Sequence, residues 1–168
     1  MAVSYSFLLA CGKFIRHVLF ENESEADHLC REMATGNTFG ATALSSYGGF
    51  WIGTAIILTP GGFAIMSALE EESVGAFPNS FGIYLFGWFI FTFLLLICTL
   101  RSTVAFFTLF FTLDLAFLFL GLAYLYHDTA GHPHTGLLRA GGAFGILAAF
   151  TAWYVLSLDM LYNVKLEN

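Results

Sequence analysis

The sequence predicts an all-α protein, a polytopic bundle of membrane-spanning helices, and three observations carry that reading. The chain of 168 residues is 58% hydrophobic and only 11% charged, with a mean hydropathy of +0.76, which is too apolar for an ordinary soluble domain. It holds 20 Phe against 6 Lys plus Arg. Its apolar residues also collect into four stretches close to the roughly 20 residues that a helix needs to cross a hydrocarbon core.

The first span is expected over residues 38 to 58. Asn37 or Thr38 can cap its N-terminus. Gly36, Gly40, Ala41, Ala43, Ser45, Ser46, Gly48 and Gly49 are small enough to let other backbones approach closely, and Tyr47 stands among them as the one bulky group with a polar tip. Residues 59 to 80 break the pattern with Pro60-Gly61-Gly62, the acidic run Glu70-Glu71-Glu72 and a turn signal at Pro78-Asn79. Phe63 to Leu69 between them reads as a short interfacial helix. The second span, residues 81 to 100, holds no charge. The third, residues 103 to 126, holds Asp114 alone, and Arg101-Ser102 is so short a link that the two must form an antiparallel hairpin. His127 to Gly136 reads as a polar surface loop. The fourth span, residues 138 to 161, is charged only near its ends, at Arg139 and Asp159.

Lys and Arg in short loops stay on the cytoplasmic side, so Arg101 places the hairpin link inside. Alternation then puts Arg31 and Lys165 inside, and the Glu70 to Glu72 segment and the histidine loop outside; Arg139 is the one dissenter. Several of Trp51, Tyr84, Trp88, Tyr124, Tyr126, Trp153, Tyr154 and Tyr162 fall near span ends, where interfacial aromatic belts lie. The net charge of −6 offers no basic footprint for nucleic acid, so that class is discarded. Cys11, Cys30 and Cys98 form no CxxC pair, and Cys98 reads as a buried inert thiol. His127, His132 and His134 with Asp128 match no zinc spacing and read as solvated loop residues, so neither a metal nor a cofactor is expected. Neither GxSxG nor HExxH occurs, which removes the usual entries to an enzyme.

The run Met33 to Ile52, MATGNTFGATALSSYGGFWI, resembles the signature of the acetate uptake transporter family, which includes bacterial acetate/succinate permeases and fungal acetate and ammonia transport proteins. Gly36, Asn37, Thr38, Phe39, Gly40, Ser45, Ser46, Gly48 and Gly49 carry the match around Tyr47. The resemblance runs from about Glu32 to the C-terminus, so the chain divides into a segment 1-32 unlike the family and a transporter-like domain 33-168. It implies six membrane helices, of which four are present, a hexameric homo-oligomer, and a solute path through each subunit. The first family helix, with its Asn-Pro-Ala-Pro-Leu-Gly motif, and nearly all of the second are missing, as a truncated or mis-spliced fungal member would show.

The resemblance further implies a hydrophobic constriction built from a Phe, a Tyr and a Leu on three helices. The Tyr maps to Tyr47, and the Leu maps to Leu113 within Phe110-Phe111-Thr112-Leu113; the Phe belongs to the missing first helix. Acetate or a related monocarboxylate, moved by a channel or by proton symport across the plasma membrane, is the expected solute. Ammonia or ammonium export is the alternative, as is a non-transporting subunit that joins full-length relatives. The lipid bilayer is then the chain's main partner. Asp114 has two readings: it holds a proton during symport, or it is a protonated residue hydrogen-bonded to a neighbouring helix. Neighbouring helical residues are offset by about 100°, so Leu113 and Asp114 need not share a face.

Overall fold

The computed structural model describes residues 38 to 59 and 63 to 166. The expectations for Gly36, Asn37, Cys11, Cys30 and residues 1-32 lie outside them. Five α-helices follow one another among the described residues, with no strand: α1 (Thr38–Leu58), α2 (Ile65–Glu72), α3 (Ala76–Thr99), α4 (Val104–Leu125) and α5 (Thr135–Leu166). Four of them, α1, α3, α4 and the part of α5 from Thr135 to Val155, are long and apolar enough to cross a membrane. The chain is an integral membrane protein, because helices this apolar satisfy every backbone polar group internally and place their side chains against lipid.

The chain divides into two compact units, Met1–Ala68 and Leu69–Asn168. In the first, α1 begins and ends where the sequence places it. Among its described side chains Ala43, Phe50 and Thr54 are buried, and Tyr47 falls between them at steps of four, three and four, which puts it on the same stripe.

In the second unit α4 packs against both α3 and α5. Helix α3 starts five residues earlier than expected, at Ala76, because Pro78 lies in the first turn, where its missing N–H costs nothing. Asn79 donates its backbone N–H to the Gly75 carbonyl at 3.1 Å, so the Pro78-Asn79 pair opens the helix instead of turning before it. The link to α4 is as tight as predicted: Ser102 N–H reaches Thr99 O at 2.8 Å, and Thr103 Oγ1 accepts from Phe106 N at 3.3 Å as the cap of α4. Helix α5 starts at Thr135, three residues before the expected span, and continues to Leu166. His134 stands at its cap position, its Nδ1 accepting from Leu137 N at 3.3 Å and its carbonyl from Leu138 N at 3.0 Å.

Two further expectations are corrected. Glu70 to Glu72 do not form a loop but complete α2, since glutamate is a strong helix former and all three side chains are exposed. Cys98 is exposed, not buried. Its neighbours Leu95, Leu96 and Thr99 take the packed face, and Cys98 falls with Leu94 and Ile97 on the outer one, where an apolar thiol is at home in lipid.

Candidate transport site

Helix α4 carries two seams. Phe110, Asp114, Phe117 and Gly121, spaced four, three and four, form a buried stripe toward α3, fixed there by Gly121, where an added Cβ would sit 3.3 Å from Phe86 Cδ2 and 3.6 Å from the Gly82 carbonyl. The edge-on ring pair Phe81–Tyr124, with centroids 4.9 Å apart, closes the outer end of this seam. Leu113 and Leu120, seven residues apart, form the stripe toward α5. Leu120 meets Gly141 so closely that a Cβ there would lie 2.7 Å from its Cγ, and Phe119 stacks on Phe144 at 5.4 Å.

Leu113 and Asp114 are therefore adjacent in sequence and aimed at different neighbours. Leu113 is half-buried on the α5 flank. Asp114 is 6% exposed on the α3 flank, and its Oδ1 has no hydrogen-bond partner among the described residues. Tyr47 belongs to the first unit and is half-buried; Ser46, Phe39 and Gly40 are half-buried, while Thr38, Ser45, Gly48 and Gly49 are exposed. A Cβ built at Gly48 or Gly49 meets no atom within 4 Å.

Several hydroxyls of the spans are held by their own helices. Thr108 Oγ1 donates to Val104 O at 2.8 Å, Thr112 Oγ1 to Thr108 O at 2.8 Å, Thr99 Oγ1 to Leu96 O at 2.7 Å and Thr151 Oγ1 to Ala148 O at 2.9 Å. That arrangement removes the cost of a bare donor in a medium without water. Thr92, fully buried on α3, is a residue that sequence reasoning passed over. Its signal was available: Leu85, Thr92 and Thr99 recur every seven residues along an otherwise apolar helix.

The loop between α4 and α5 is built rather than slack. Asp128 Oδ1 accepts from His132 N at 2.8 Å and from Ala130 N at 3.0 Å. The His132 amide holds the Asp128 carboxyl below the ordinary carboxylate range; desolvation opposes it, and the Ala130 amide and the nearby imidazoles of His132 and His127 add to the lowering. Gly131 has φ +79°, and a Cβ on it would collide with the Val74 carbonyl, so only glycine allows the loop to lie on the turn before α3.

In a comparison against known proteins, the profile of the GPR1/FUN34/yaaH family matches residues 29–165. The chain belongs to that family. It is 66% identical over 125 residues to "Acetate permease A" of Emericella nidulans, a match covering 73% of this chain and 42% of that protein. With "Ammonia transport outward protein 2" of Saccharomyces cerevisiae it shares 44% over 123 residues, 73% of this chain and 41% of the relative. With "Acetate transporter protein patA" of Penicillium expansum it shares 25% over 136 residues, 80% and 54% respectively. The chain thus spans about two fifths of the length of the first two of these relatives. No solved structure matches it.

Proposed function

We propose that this chain forms part of a plasma-membrane path for acetate and related short monocarboxylates. The observation that carries the reading is the 66% identity to a protein named acetate permease A. A bare carboxylate is costly at the bilayer centre, so a path must offer it hydrogen bonds or carry it as the neutral acid. Tyr47 supplies a hydroxyl that donates to a carboxylate or accepts from an acid. Leu113 supplies the apolar wall that keeps a narrow gate dry. No step in this reading makes or breaks a covalent bond, so the chain acts as a transporter and not as an enzyme. By resemblance it works as a homo-oligomer of six subunits, or joins full-length relatives as a non-transporting subunit.

Labelled acetate uptake into proteoliposomes, corrected for protein-free vesicles, tests the reading. Protein-dependent uptake that Tyr47→Ala and Leu113→Ala both alter is the expected result; variants indistinguishable from the parent would remove the constriction. A second reading, ammonia or ammonium export, is supported by the 44% identity to an ammonia transport outward protein. Methylammonium efflux from the same vesicles, with no acetate flux, would replace the first reading by the second.

A further inference from the structure

Asp114 is the one buried ionic side chain among the described residues, and Phe110, Phe117 and Gly121, which share its stripe, offer it no side-chain donor. The helices α3 and α4 run antiparallel, with Gly82 against Leu125 and Phe86 against Gly121, so each four-residue step along one is matched by four along the other. Continuing that register brings Thr92 level with Leu115, one residue from Asp114. Thr92 is fully buried there, yet Asp114 Oδ1 accepts no bond from it. No basic residue stands on α3 or α4 to neutralise the carboxylate, and on α5 the charged residue whose side chain is described, Arg139, is exposed near the helix start.

An ionised carboxylate in so dry a seam is very costly unless paired, whereas the neutral acid is not. A carboxyl kept only for packing would bond its buried oxygen across the seam, as the large majority of buried polar side-chain atoms do. This one leaves an oxygen open. We infer that Asp114 is the proton-binding residue of the transport path, taking up and releasing one proton at Oδ1 inside the α3–α4 seam. The step is a simple protonation: an O–H bond forms at Oδ1, the carboxylate charge is neutralised, and the proton comes from hydronium or from an arriving carboxylic acid, which leaves as its anion. Leu113 and Asp114 stand on one rigid helix, so a rotation of α4 that brings the ionised carboxylate to water also swings Leu113 along α5. Only this coupling to solute rests on the transport reading; the proton site itself does not.

Two measurements separate the claims. Infrared difference spectra of the protein in lipid, parent minus Asp114→Asn, are expected to show the carbonyl stretch of a protonated carboxylic acid at about pH 5 that fades toward about pH 9. Asp114→Glu should restore the band at a shifted frequency, which also guards against a misfolded Asn variant. A band that is absent, or that persists unchanged across this range, overturns the proton site. In proteoliposomes, one coupled proton lets a gradient of about one pH unit drive about tenfold protein-dependent accumulation. Asp114→Asn should abolish that accumulation and Asp114→Glu should restore it at least in part, since only a titrating group can carry the proton. Survival of the accumulation in the Asn variant, or failure of Glu to restore it, overturns the coupling. Failure of the parent to move acetate at all would refute the transport reading while the infrared band still reports on Asp114.

Discussion

Replacing Gly141 by alanine tests the α4–α5 contact against a control one residue away. The added methyl at 141 would lie 2.7 Å from Leu120 Cγ, 2.9 Å from its Cδ2 and 3.0 Å from its backbone nitrogen, so a side-chain rotation alone does not relieve it and the helices must part. At Gly142 the same methyl meets nothing within 4 Å. Both substitutions gain the same helix preference of alanine over glycine, at most about 1 kcal/mol, and this cancels in the comparison. What remains is the cost of overpacking, about 1–3 kcal/mol. For a chain of this size each kcal/mol moves the midpoint by about 2–4 °C, so Gly141→Ala should melt on the order of 5 °C below Gly142→Ala. Thermal scans of helical circular dichroism in one detergent, on both variants side by side, measure it. Midpoints that coincide, or a Gly141→Ala variant that melts higher, would refute the close approach of α5 to Leu120.

Tyr47→Phe, which removes a hydroxyl worth about 1 kcal/mol, should slow acetate uptake about fivefold, and Leu113→Ala should raise the relative uptake of longer monocarboxylates; initial rates with labelled acids in proteoliposomes check both. Gly131→Ala forces an L residue to φ +79° against the Val74 carbonyl, at about 1–3 kcal/mol of local strain, and should speed amide hydrogen exchange at Ala130 and His132 in detergent by about tenfold or more. The Asp128 carboxyl is held below its ordinary value by the His132 and Ala130 amides, so the loop stability it provides is fully present above the unfolded value of about 3.9 and is lost as pH falls through the lower folded one. Protection of those two amides should therefore persist at about pH 4 and disappear only in stronger acid, while Asp128→Asn should weaken it already at neutral pH.

Much of the fold could be read from composition because lipid imposes a coarse rule: a span must be about 20 apolar residues long, and α1, α3, α4 and the first 21 residues of α5 obey it. Helix ends were harder. Pro78-Asn79 carries the residue types of a turn, but a proline in a first turn is equally comfortable, and only the bond from Asn79 to Gly75 decides between them. Cys98 was misplaced because an all-apolar helix has no polar face to orient it; the packed side of α3 is set by its partner. For the same reason the different directions of Leu113 and Asp114 follow from which glycine each stripe meets, Gly141 and Gly82 respectively, and not from the residues themselves. Thr92 was legible in its spacing alone, and its level beside Asp114 required the register of the hairpin.

The two-residue link between α3 and α4 also bears on how the chain is made. Closing so short a loop costs little chain entropy, and every contact along the seam, from the link outward to Phe81 against Tyr124, joins residues that leave the ribosome within moments of each other. The α3–α4 hairpin is therefore the pair of spans best placed to zip together before either meets a third helix. In that order of assembly α3 covers Asp114 before α5 is made, and α5 packs onto a surface already laid down.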